Sequence, residues 1–134
     1  MTYLLDTNIF LEILLEQQNS DDVEKLLREI PSTDLYLSDF SLYSIGIILF
    51  RNSKQDTFVQ FTEDLLIKGG IEVISLSPSD FKSLVDYSKR FDLDFDDAYQ
   101  YTLLEKHGLD LVSFDQDFDT TGKARLEPGE ILSN

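Results

Sequence analysis

The sequence predicts an α/β fold in three layers, with a central parallel sheet of four to five strands flanked by helices. Three observations carry this expectation. Short β-prone runs alternate with amphipathic stretches of about ten or more residues, the pattern of successive strand–helix–strand units. The length of 134 residues corresponds to roughly one domain, and a hydrophobic content of 42% is enough to build one core. No internal repeat, low-complexity tract or Gly/Ser/Pro-rich linker interrupts the chain, so residues 1–134 read as a single domain.

Each element follows from its own residues. Thr2 to Leu5 is a β-prone run that ends at Asp6. From about Asn8 to Gln17, the residues Ile9, Phe10, Ile13, Leu14 and Leu15 recur at helical spacing. Asn19-Ser20-Asp21-Asp22 opens the next helix, whose face is Val23, Leu26, Leu27 and Ile30, and Pro31 stops it. Leu35 to Leu37 is the second strand. Ser38 or Asp39 then caps an apolar helix, with Leu42, Ile45, Leu49 and Phe50 expected toward the core. Phe58, Phe61, Leu65 and Leu66 mark another helix, closed by Gly69-Gly70. Glu72 to Ser75 is the third strand, and Ser77-Pro78-Ser79-Asp80 opens a helix with the face Phe81, Leu84, Val85 and Ser88. Asp96 to His107 is helical, with Gly108 at its end. Asp110 to Ser113 is a buried-type strand, and Glu130 to Leu132 is expected as a last, short one. In open parallel sheets, ligands bind outside the carboxyl ends of the strands. Asp6 and Asp115 each lie just past a strand, at that edge.

Composition removes several function classes. There is no cysteine, which excludes disulfide scaffolds, zinc–thiolate sites and thiol catalysis, and a single histidine excludes any multi-His metal site. The start, Met-Thr-Tyr-Leu-Leu-Asp, lacks a basic region, and Asp6 breaks its apolar stretch, so it does not read as a signal peptide. No run of 18 or more apolar residues occurs, so no membrane span and a cytoplasmic location are expected. With 26 acidic and 11 basic residues, the formal charge is −15, which opposes loose binding to phosphate backbones. A site that meets phosphate through a bound cation remains open. The acid is also uneven: eight of the 17 aspartates fall between Asp92 and Asp119.

Three segments bear on that clustering. Leu4-Leu5-Asp6-Thr7-Asn8-Ile9-Phe10 ends a strand in Asp and enters a helix through Thr-Asn. Asp96-Asp97-Ala98-Tyr99-Gln100 starts a helix, with Asp97 beside the positive end of its dipole. Leu111-Val112-Ser113-Phe114-Asp115-Gln116-Asp117-Phe118 is a strand followed by an acidic loop. Together with the closing Glu127-Pro128-Gly129-Glu130-Ile131-Leu132, these segments resemble the PIN domain, a nuclease fold used by VapC-type toxins of toxin–antitoxin pairs. The resemblance covers nearly the whole chain.

It implies a ribonuclease that holds Mg²⁺ or Mn²⁺ on carboxylates. Asp6, Asp97 and Asp115 match three of the usual acids, and Asp117 matches a less constant fourth. Asn8 and Ser38 match supporting polar positions. One position departs from the pattern: in Leu37-Ser38-Asp39-Phe40-Ser41-Leu42-Tyr43-Ser44, Ser44 stands where the family usually has Glu. The resemblance further implies an RNA substrate, an antitoxin protein and a homodimer as partners. The rival reading is a catalytically silent PIN domain acting as a binding module, motivated by Ser44 and the charge.

Coulomb's law supports a cation without reference to any family. Unit charges about 5 Å apart at an effective dielectric near 20 repel by roughly 3 kcal/mol. Three such pairs give on the order of 10 kcal/mol, comparable to the stability of a whole domain. Acids so placed bind a cation, take up protons, or do not form a cluster.

Plainer readings stand beside each of these. Asp6 serves equally as a helix cap, and Asp97 as a partner of the helix dipole. Asp92, Asp94, Asp110 and Asp119 read as solvated turn residues, and His107 as a surface residue near a helix end. Tyr3, Phe10, Phe40, Phe50, Phe95 and Phe118 read as core. Two aspartate runs imitate a calcium loop, but Asp92-x-Asp94-x-Asp96 and Asp115-x-Asp117-x-Asp119 both lack its glycine and its closing Glu. A receiver domain would want a paired acid after the first strand and a Lys after Val112, and neither occurs.

Overall fold

The computed structural model describes residues 1–132; positions 133–134 of the expected domain lie outside the described residues. In chain order the elements are β1 (Tyr3–Leu5), α1 (Thr7–Leu14), α2 (Ser20–Glu29), β2 (Leu35–Ser38), α3 (Asp39–Arg51) and α4 (Gln55–Phe61). They continue with β3 (Glu72–Ile74), α5 (Phe81–Phe91), α6 (Phe95–His107), β4 (Asp110–Val112) and α7 (Pro128–Leu132). The four strands form one parallel sheet in the order β3-β2-β1-β4.

Side chains alternate across β1 and divide the interior in two. Tyr3 and Leu5 face a core built with Ile9 and Phe10 of α1, Val23 and Leu26 of α2, and Ile45 and Leu49 of α3. Leu4 faces the opposite core, built with Leu84 of α5, Leu103 and Leu104 of α6, and Leu111 of β4. Helices thus cover both sheet faces, as a parallel sheet requires.

Sheet order also fixes where a ligand can enter. The chain leaves β1 toward β2 and β3 on one side, and β4 returns on the other. The crevice beyond the carboxyl ends of β1 and β4 is therefore the switch point of the sheet. Register aligns Leu5 with Val112, and the Asp6 N–H donates to the Val112 carbonyl at 3.0 Å, so the residues following both strands meet there.

Several expectations need correction. Glu130–Leu132 is not a strand: Pro128 starts the short helix α7, with its φ preset, and the Glu130 carboxylate accepts from the Glu127 N–H at 3.2 Å. The sheet itself, with four strands among the described residues, falls within the four to five expected. The helix after β1 ends at Leu14, short of Gln17. The helix carrying Phe61 widens into a π-helical turn over Thr62–Ile67 before Gly69. At Gly69 a Cβ would run into the Asp64 carbonyl oxygen, so only glycine fits.

Four residues expected in the interior are exposed. Phe50 on α3 and Phe95 on α6 are each 55% accessible, and Phe81 and Val85 on α5 also face solvent. Apolar periodicity marks a stripe on a helix, but it does not say how wide a part of that stripe the core covers.

Candidate active site

Asp6 is the N-cap of α1, and its carboxylate is gripped on both oxygens. Oδ1 accepts from the Thr7 N–H at 2.9 Å and from Gln100 Nε2 at 3.0 Å. Oδ2 accepts from Ser113 Oγ at 2.7 Å and from Asn8 Nδ2 at 3.4 Å. The residue is only 8% exposed. Burial pushes its carboxyl above the ordinary 3.8, against the lowering effect of these donors, and the neighbouring Asp115 charge adds to the rise. The capping role and the site role are thus held by one side chain.

Asp97 lies in the first turn of α6 and is also 8% exposed. Its carboxyl is pushed up to about 8, first by burial and then by Asp94, Asp115 and Asp96 around it. Asp96 is raised as well, again by burial before the nearby Asp94, whereas Asp94 is lowered by the hydrogen bond that Asp96 gives it. Asp115 follows β4; its N–H donates to Ser113 Oγ and its Oδ1 accepts from the Asp117 N–H, both at 2.9 Å. Arg125 braces this loop, donating to the Ser113 carbonyl, to Asp119 and to Glu127.

Asp6, Asp97 and Asp115 line one cavity of about 300 Å³ at the switch point, together with Asn8, Ser44 and Gln100. None of the described residues lining it is Lys, Arg or His. Carboxylate oxygens of Asp97, Asp115 and Asp117 lie within 4.8 Å of one another, and so do those of Asp94, Asp96 and Asp97. These are hard oxygen donors at a spacing that could hold a divalent cation. Asp6 lies outside both triplets but lines the same cavity.

The supporting residues divide. Asn8 joins the site, since its Nδ2 reaches Asp6 and Ser113 and its Oδ1 accepts from the Phe114 N–H at 3.2 Å. Ser44 lines the cavity from α3. Ser38 does not reach it: fully buried, its hydroxyl caps α3 by accepting from the Ser41 N–H at 2.9 Å. Asp117 borders an adjoining cavity with Asp94 and Asp97 instead.

Gln100, Ser113, Ser41 and Thr7 were not foreseen. Gln100 is 2% exposed, and its Nε2 bridges Asp6 to Ser41 Oγ, which also accepts from Thr7 Oγ1 at 2.8 Å. Its Oε1 is buried without a partner. The three-residue spacing from Asp97 to Gln100, which stacks both on one side of α6, was the available signal.

Comparison with known proteins follows the same outline. None of the curated proteins matches the chain. Among solved structures, the Mycobacterium tuberculosis toxin VapC20, described as cleaving the sarcin–ricin loop, superposes with a TM-score of 0.79 at 17% identity, covering 95% of this chain and 100% of that one. FitAcB from Neisseria gonorrhoeae gives a TM-score of 0.74 at 21% identity, with 96% and 99% covered. A toxin–antitoxin complex from Klebsiella pneumoniae gives 0.73 at 19%, with 95% and 98% covered. These likenesses share the fold. The PIN domain family model matches residues 3–124, and with that span nearly the whole molecule is accounted for: the chain belongs to the PIN domain family.

Proposed function

We propose that this protein is a divalent-cation-dependent ribonuclease, a toxin of a toxin–antitoxin pair that acts in the cytoplasm as one domain over residues 1–134. The observation that carries the reading is the basic-free cavity at the switch point, into which acids come from the junction of β1 and α1, from α6 and from the loop after β4. Membership of the PIN domain family supports a nuclease. The solved relatives described as a sarcin–ricin-loop-cleaving toxin and as a toxin–antitoxin complex support an RNA substrate and an antitoxin partner.

In this reading Asp97 and Asp115 hold Mg²⁺ or Mn²⁺, with Asp117 beside them and Asp6 lining the same cavity. The bound cation supplies charge neutralisation and Lewis-acid polarisation at a phosphodiester. The chain's own residues do the rest. Gln100, Ser113 and Thr7 hold the Asp6 carboxylate in one orientation, so that it can accept a proton from the attacking water. Asn8 and Ser113 tie α1 to the end of β4 and keep the acids in register. Ser44 adds a neutral hydroxyl where the family usually has a carboxylate.

The test is the double variant Asp6→Asn, Asp97→Asn. It is expected to lose cleavage of single-stranded RNA while keeping its circular dichroism and cooperative unfolding. Undiminished cleavage would falsify the assignment. Ser44 in the cavity favours one second reading, a silent PIN domain that only binds partners, and cation-dependent cleavage by the native chain rules it out.

A homodimer is part of the same proposal. Tyr43, Ile47 and Phe50 form an exposed stripe along α3, beside the face of that helix that carries Ser44 toward the cavity. A contiguous apolar surface of this kind supports burial against a second copy.

A further inference from the structure

Phe95 opens α6 with its ring 55% exposed, one residue before Asp96 and two before Asp97. Nothing in helix formation calls for a phenyl ring there, since an acidic or small polar residue suits the first turn better. The ring is nevertheless supported. Its centroid lies 6.0 Å from that of Phe40 and 6.1 Å from that of Tyr99, and Phe40 and Tyr99 are 5.6 Å apart. Tyr99 is locked in place, since its hydroxyl donates to Asp39 Oδ1 at 2.8 Å and accepts from the Leu76 N–H at 2.9 Å. Phe40 in turn lines the same cavity as Asp6, Asp97 and Asp115. A fixed aromatic surface therefore runs without a break from solvent at Phe95 to the wall of the acidic cavity.

We propose that Phe95 and Phe40 form a stacking platform for an unpaired nucleobase of single-stranded RNA, next to the phosphate held at the acidic cavity. The proposal rests on the ribonuclease reading and names how that site grips its substrate. Electrostatics leaves the grip on such a strand to interactions other than charge. A protein of formal charge −15 gains little from counterion release, because that affinity comes from Lys and Arg neutralising phosphates. Stacking on an aromatic ring is not Coulombic and tolerates any base, so it supplies grip where basic residues are missing. Only an unpaired base presents a free face, which selects single strands over duplex.

The test uses a phosphorothioate single-stranded RNA hexamer carrying 2-aminopurine, whose fluorescence falls on stacking, with Mn²⁺ present. Wild-type protein is expected to quench it, and to bind the same sequence in a duplex, where the base is already stacked, at least about fivefold more weakly. Phe95→Ala and Phe95→Leu are expected to weaken binding about fivefold or more and to abolish the quench. Phe95→Trp is expected to restore both. The leucine variant keeps apolar volume without a ring, and Mn²⁺ titration of each variant should match wild type, which separates stacking from damage to the site. Binding and quenching by the alanine and leucine variants equal to wild type would overturn the platform and leave Phe95 to a protein contact. So would a wild-type protein that does not bind the hexamer. The two readings fail separately: a protein that quenches through Phe95 but cleaves no RNA keeps the platform and loses the nuclease. A protein that cleaves RNA with Phe95 dispensable for binding does the reverse.

Discussion

Asp97 combines deep burial with three acidic neighbours, and its carboxyl titrates near 8 as a result. In the unfolded chain the same group titrates near its ordinary 3.8. Between those values the folded protein holds a proton that the unfolded chain has released. Stability from this group is complete below the lower value and is lost as pH rises through the upper one. Asp6, raised by burial, acts in the same direction. The cation-free protein is therefore expected to melt at a higher temperature at pH 5.5 than at pH 8, and Mn²⁺ is expected to raise the pH 8 value most. Thermal unfolding in chelator and in Mn²⁺ measures both, and a cation-free melting temperature that climbs from pH 5.5 to pH 8 would contradict the burial of these acids. Gln100 carries a second expectation at this scale. Gln100→Leu leaves the buried Asp6 Oδ1 and Ser41 Oγ short of a donor, at a cost of about 1–3 kcal/mol in urea denaturation. It should also lower cleavage, because Asp6 is then free to turn. Asp6, Asp97 and Asp115 were legible in the sequence because each sits at the end of a strand or the start of a helix. The clamp from Gln100 and Ser113 was not, because it joins residues separated by 94 and 107 positions.

Helix α3 shows what an element can reveal and hide. Its start was readable, since Ser38 caps it, yet that same bond takes the Ser38 hydroxyl away from the site to which the family pattern assigned it. Ser44 and Ile48 line the cavity while Tyr43, Ile47 and Phe50 face solvent, so one apolar helix serves two surfaces. Hydrophobic spacing alone assigned Phe50 to the core, because it records a residue's preference and not which surface meets it. Ser44→Glu adds a carboxylate to the cavity wall. It is expected to tighten Mn²⁺ binding severalfold by calorimetry and to leave the wild-type cleavage already present. Activity that appears only in the Glu variant would mean that the native site is silent. Helix α7 was misread as a strand for a local reason. Ile131 and Leu132 suit either state, and the deciding residue is Pro128, which presets a helical first turn.

For the whole molecule, the alternation of strands and helices made the three layers legible, and the strand ends located the acidic edge. The order β3-β2-β1-β4 was not legible, because parallel pairing depends on contacts far apart in sequence. No helix among the described residues is long and apolar enough to cross a membrane. The charge of −15 now divides into a few acids that converge on a cavity and a solvated remainder. Assembly is testable at the same scale. If the α3 stripe joins two copies, light scattering after gel filtration should give twice the chain mass for the native protein and the chain mass for Ile47→Asp. A native monomer at micromolar concentration would refute the dimer and leave the stripe to another partner.

The central claim is that the acids at the switch point exist to hold a divalent cation. Calorimetric titration of Mn²⁺ and Mg²⁺ at neutral pH into the native chain and into the Asp6→Asn, Asp97→Asn variant addresses it most directly. Saturable binding with proton release by the native protein, reduced at least tenfold in the variant, is the expected result. Absence of binding to the native protein, or equal binding by both, would contradict the account.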